Sequence, residues 1–130
     1  MVAVHTQERL KISPAAGAAG AFVTGIDLSK PLDDEEVAGL RRALLRHQVV
    51  ALPDQKMSLD GLERLTDALG GRDMTPFVKP MEGRPYVIRI LKEKDEKLNF
   101  ANAWHTDLSY LPTPPSFTLL YCLDAPPVGG

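Results

Sequence analysis

Trp104-His105-Thr106-Asp107-Leu108-Ser109-Tyr110 sets an imidazole and a carboxylate two positions apart in the last third of a 130-residue chain. Read as a β-strand, the stretch sends both side chains to one face of a sheet, because strand side chains alternate with period two. An imidazole nitrogen and a carboxylate oxygen held side by side supply two of the three donors of a 2-His-1-carboxylate facial triad. That arrangement binds Fe(II) and leaves positions open for a co-substrate and O2. His-x-Asp alone arises readily by chance, and a structural His–Asp contact on an exposed face explains the pair equally well. The wider string is more specific: Trp104 precedes the pair, Ser109 and Tyr110 follow it, and Pro114-Pro115 comes next. After one more predicted strand stands Pro126-Pro127-Val128-Gly129-Gly130.

Working outward, the tail from Leu98 onward contains no Lys or Arg. It holds the His-x-Asp strand, a turn at Pro112, Pro114 and Pro115, and the predicted strand Phe117–Leu123, on which Cys122 reads as a small core residue. Upstream, Tyr86–Leu91 is an apolar, β-branched run predicted as a strand, and Lys92–Lys97 is a solvated turn of mixed charge. Arg72–Pro85 carries Pro76, Pro80 and Pro85 with little periodicity and reads as irregular. Two helices come before it. Asp33 and Glu36 have capping-box spacing, followed by Val37, Leu40 and Leu44 on one stripe, with Arg41, Arg42 and Arg46 on or beside the polar side. Ser58 caps the second, Met57 and Leu62 form its hydrophobic staple, Leu62, Leu65 and Leu69 its stripe, and Gly70-Gly71 its stop. Between the helices, Gln48–Leu52 predicts a short buried strand ended by Pro53. At the start, Leu10–Ser13 and Ala21–Ile26 predict a hairpin across a small-residue patch.

Composition sets the class. Hydrophobic residues make up 44% and charged residues 25% of the chain, normal for one soluble globular domain. A net charge of −2 gives no basic footprint for nucleic acid. No apolar run approaches the roughly 20 residues of a membrane span, and Met1–Leu10 lacks the pattern of a signal peptide. The single Cys122 excludes an internal disulfide and suits a reducing compartment. A cytoplasmic protein is expected. Strands after helices without regular alternation predict an α+β or jelly-roll architecture.

The string from Trp104 to Tyr110, followed by Pro114-Pro115 and Pro127-Val128-Gly129-Gly130, resembles the taurine dioxygenase/TfdA family of Fe(II)- and 2-oxoglutarate-dependent dioxygenases. Val23-Thr24-Gly25-Ile26-Asp27-Leu28-Ser29 and Leu45–Gln55 resemble the usual opening of these enzymes. The likeness spans nearly the whole chain but only the first half of the family's domain. It implies a partial double-stranded β-helix, a cupin-like jelly roll, with flanking helices. Residues 1–130 would then be the N-terminal portion of a single domain, truncated before a distal histidine and arginine. By the same resemblance His105 and Asp107 are iron ligands, Leu108 lines the substrate pocket, and Ala101 and Asn102 lie near substrate and co-substrate. A threonine, Thr75, stands where taurine enzymes carry a histidine that meets the sulfonate, which argues for a less anionic or more apolar substrate than taurine. Ala101 replaces an asparagine and offers no side-chain hydrogen bond. The implied activity is hydroxylation of a small organic acid or related metabolite with O2, coupled to conversion of 2-oxoglutarate to succinate, in a protein whose full-length form is a homo-oligomer.

No histidine follows His105 and no arginine follows Arg89, so the 130 residues alone are expected to be incompetent for turnover, with unpaired strands that favour association. Two alternatives stand beside the oxygenase: a non-catalytic fragment or accessory binding domain of the same fold, and a zinc site using His105 and Asp107. His47, near a helix end, suits a dipole or packing role. His5 lies in a terminal segment, Trp104 and Tyr110 are expected to pack beside the site, and Gly129-Gly130 reads as a turn.

Overall fold

The computed structural model describes residues 9–98 and 100–128. His5 and Gly129-Gly130 therefore lie outside the described residues. The chain divides into two units, one ending at Leu69 and the other beginning at Gly70.

The first unit carries all the regular elements: β1 (Lys11–Pro14), β2 (Ala21–Thr24), α1 (Asp34–His47), β3 (Val50–Ala51) and α2 (Leu59–Leu69). The predicted hairpin forms. β1 and β2 pair antiparallel with Ile12 opposite Val23, and β3 joins the other edge of β2 in parallel, with Ala21 opposite Val50. The parallel partner is reached through α1, a helical crossover. Along β2, Ala21 and Val23 are buried while Phe22 and Thr24 are exposed, the period-two pattern of a strand with one dry face. At Gly25, φ is +83° and a Cβ would overlap the carbonyl oxygen of Arg9, so only glycine fits where the hairpin exits.

α1 starts as its sequence predicts. The Asp33 carboxylate accepts from the Glu36 N–H at 2.9 Å, and the Glu36 carboxylate accepts from the Asp33 N–H at 3.0 Å, completing the box. Its buried face is Gly39, Leu40 and Ala43; Val37 and Leu44 are half-buried, so the dry stripe is narrower than the leucine spacing alone suggests. The helix ends at Gln48, with φ +65° and its N–H returned to the Leu44 carbonyl at 2.7 Å. The His47 carbonyl accepts from the Gly20 N–H at 2.8 Å, which ties the helix end to the hairpin. β3 is shorter and wetter than expected: Val50 is half-buried and Ala51 exposed, because the strand is an edge with one neighbour.

The segment between β2 and α1 is held by two side chains. Gln55 accepts from the Leu28 N–H at 2.9 Å and donates to the carbonyls of Ile26 and Pro53 at 3.3 and 3.1 Å. Asp27 accepts from the Ser29 hydroxyl at 2.6 Å and meets Lys30 at 2.8 Å. In α2 the Ser58 hydroxyl accepts from the Gly61 N–H at 3.1 Å, and Leu65 and Leu69 are buried. The Arg41 guanidinium donates to the Leu69 carbonyl at 2.9 Å, so a side chain of α1 satisfies the end of α2. Gly70 and Gly71, at φ +143° and +107°, stop the helix as predicted.

The second unit corrects the sequence reading. Tyr86–Leu91, the His-x-Asp segment and Phe117–Leu123 are not strands; among the described residues of this unit the sole β-contact is an isolated Met81–Arg84 bridge. A strand is defined by a ladder to a neighbour, and none of these runs has one here. Their strand character survives in exposure alone: from Pro115 to Tyr121 the odd-numbered residues are half-buried and the even-numbered ones exposed. The jelly roll is thus not formed among the described residues. Val87 is buried, and its carbonyl accepts from the Met81 N–H at 2.8 Å. Lys92–Lys97 is the solvated turn expected of it, with the Glu96 N–H donating to Glu93 at 3.2 Å. Cys122 is exposed rather than a core residue, and Trp104 is fully exposed rather than packed beside a site. No helix of the described residues is long and apolar enough to cross a membrane.

Candidate metal centre

His105 and Asp107 face one another, although no strand aims them. The segment between Ala103 and Leu111 is a compact turn instead. Leu108 has φ +47°, its carbonyl accepts from the Leu111 N–H at 3.0 Å, and the Thr106 and Ser109 hydroxyls meet at 2.8 Å. A left-handed leucine costs conformational energy and bends the backbone sharply just after the carboxylate. Within that turn His105 Nε2 stands 3.3 Å from Asp107 Oδ1, both side chains about half exposed.

Each of the two groups is also held from behind. His105 Nδ1 lies 2.7 Å from the Ala103 carbonyl oxygen, which can only accept, so this ring nitrogen carries the proton. In the neutral ring this puts the lone pair on Nε2, the form of imidazole that binds metals. The Thr118 hydroxyl donates to Asp107 Oδ2 at 2.9 Å, so the carboxylate oxygen turned to His105 is the other one, Oδ1. Neither Ala103 nor Thr118 is flagged by the sequence. A backbone carbonyl has no residue signature, and Thr118 requires knowing how the chain returns after Pro112–Pro115.

Two cis ligands of an octahedral ion, each about 2.1 Å from it, lie about 3 Å apart. A separation of 3.3 Å between the imidazole nitrogen and the carboxylate oxygen therefore fits a shared divalent cation. Among the described residues no third His, Cys, Asp or Glu joins them to make a group of three.

The remaining candidates are placed less tightly. Leu108 is half-buried; Ala101, at φ +52°, and Asn102 are exposed; Thr75 is half-buried. None of these four supplies the hydrogen bonds of the pair, which come from Ala103 and Thr118. Tyr110 stacks at a tilt on Phe77, ring centroids 6.3 Å apart.

The chain belongs to the TauD/TfdA family, whose model, described as taurine catabolism dioxygenase TauD, TfdA family, matches residues 8–130. The family is one of 2-oxoglutarate-dependent dioxygenases. An alpha-ketoglutarate-dependent sulfate ester dioxygenase from Pseudomonas putida is 32% identical over 132 residues, covering 98% of this chain and 42% of that protein. An (S)-phenoxypropionate/alpha-ketoglutarate-dioxygenase from Delftia acidovorans is 30% identical, covering 95% of this chain and 45% of its own length. Among solved structures, a taurine dioxygenase from Burkholderia xenovorans superposes with a TM-score of 0.68 at 30% identity, covering 82% of this chain and 38% of that one. The chain thus spans about two fifths of the length of these relatives.

Proposed function

We propose that this chain carries two iron ligands, His105 Nε2 and Asp107 Oδ1, of an Fe(II)- and 2-oxoglutarate-dependent dioxygenase that hydroxylates a small organic acid or related metabolite. The observation that carries the reading is the convergence of these two donors at 3.3 Å in a chain of this family. Residues 1–130 are then the N-terminal portion of one cytoplasmic dioxygenase domain, homo-oligomeric at full length, whose double-stranded β-helix, third ligand and co-substrate arginine belong to the longer protein. The short coverage of the relatives supports this division.

When bound, iron and 2-oxoglutarate supply the oxidising chemistry: substrate C–H, O2 and the keto acid become C–OH, succinate and CO2. The chain's own residues prepare the site. The Ala103 carbonyl holds a proton on His105 Nδ1, so that in the neutral ring Nε2 is the nitrogen that donates to a metal. Asp107 offsets one of the two cationic charges. Leu108 presents an apolar wall next to the ligands. Thr75 offers a hydroxyl that donates a single hydrogen bond and carries no positive charge, which favours substrates less anionic than a sulfonate.

Anaerobic titration of Fe(II) into the purified chain tests the reading. Saturable binding that is lost in both His105→Ala and Asp107→Ala is expected, together with no succinate formation by the isolated chain. Binding unchanged by either substitution would overturn the ligand assignment.

A further inference from the structure

We propose that Thr118 is a positioning residue for the metal centre: its hydroxyl selects which oxygen of Asp107 faces the cation. The inference rests on the reading of His105 and Asp107 as ligands. An aspartate about half exposed to water, on a turn with no ladder beside it, is free to rotate about its terminal torsion. Rotation exchanges Oδ1 and Oδ2 and interconverts one-oxygen and two-oxygen binding. The Thr118 hydroxyl lies 2.9 Å from Oδ2, a charge-assisted bond that holds that oxygen away from Nε2 and leaves Oδ1 facing the imidazole. The contact comes from 11 residues further along the chain, beyond the proline turn, and is not a by-product of local turn geometry. It also complements the bond on the other donor. Ala103 fixes the ring by accepting from Nδ1, and Thr118 fixes the carboxylate by donating to Oδ2, so both donors are oriented from outside before any ion arrives. The alternating exposure of residues 115–121 places Thr118 on the more exposed side of its segment, so removing the hydroxyl leaves the buried residues untouched.

The test uses Co(II), a paramagnetic stand-in for Fe(II), titrated into the 130-residue chain while NMR follows the His105 ring protons, a readout that tolerates weak binding. Thr118→Val keeps the shape and loses the donor; Thr118→Ser keeps the donor. Thr118→Val is expected to weaken Co(II) binding roughly 10-fold or more, the usual cost of losing an outer hydrogen bond, and to change the paramagnetic shift pattern at His105. Thr118→Ser is expected to restore both the affinity and the pattern. Thermal melting of each variant separates loss of folding from loss of the bond. Thr118→Val binding as wild type, while Asp107→Ala abolishes binding, would overturn the role of Thr118 and leave the ligand assignment standing. Equal loss in Thr118→Val and Thr118→Ser would also overturn it. Absence of any Co(II) effect on His105 in the wild-type chain would remove the metal centre and this inference together.

Discussion

Asp27 gathers three partners in the connection before α1: the Lys30 ammonium at 2.8 Å, the Ser29 hydroxyl at 2.6 Å and the Ser29 N–H at 3.0 Å. The hydrogen bond to Lys30, then those to Ser29, lower its pKa from 3.8 to about 2. Because the folded value is the lower one, the contribution is complete above the ordinary carboxylate value and drains away as pH falls toward about 2. Lys30, raised by the same pairing, loses its share only at the alkaline end. The carboxyl 13C shift of Asp27 should therefore titrate near about 2, and Asp27→Asn should flatten the fall in melting temperature over that acid window. Both groups are exposed, so the change is small. The pairing of His105 with Asp107 was legible in sequence at this scale, through their spacing, but for the wrong mechanical reason. A turn through a left-handed Leu108 brings them together, not the pleat of a strand. Ala103 and Thr118 were illegible because their contributions depend on a carbonyl direction and a chain return.

The helices and the first hairpin announced themselves and the later strands did not, and the difference is physical. The start of α1 is written in Asp33 and Glu36, two residues three positions apart that satisfy each other whatever the rest of the chain does. Asp33→Ala should destabilise the chain by about 1 kcal/mol, at most about 2, measured as a lower urea midpoint at unchanged slope. Arg9→Ala removes only the exposed ion pair to the same aspartate and should cost less than about 0.5 kcal/mol. Should Arg9→Ala prove the more damaging of the two, the ion pair rather than the cap would be holding the helix entry. The α2 boundaries were equally local, set by Ser58 and by Gly70-Gly71. Tyr86–Leu91 and Phe117–Leu123 have the composition of strands, yet a strand exists only when a neighbour accepts its hydrogen bonds. Their residues record a preference; pairing is decided elsewhere in the sequence. The β1–β2 hairpin was legible because its partners are adjacent in the chain.

At the scale of the whole molecule, burial is uneven. Among the described residues, eight of the nine buried hydrophobic ones lie at or before Leu69, and the ninth is Val87. Beyond Gly70, Phe77, Ile90, Leu98, Leu120 and Leu123 are each more than half exposed. Local opening follows buried apolar contact, so amide hydrogen exchange should be slow in α1, α2 and β2 and fast across most of residues 70–128. Equally slow exchange across 86–91 and 117–123 would mean those runs are laddered in solution after all. Trp104, the lone indole of the chain, stands entirely in water beside His105. Its fluorescence is therefore a built-in gauge of that neighbourhood. A paramagnetic ion on the adjacent imidazole quenches it, and any surface that closes over the turn shifts its emission to the blue, so occupancy and covering are read from unlabelled protein as two separate optical changes.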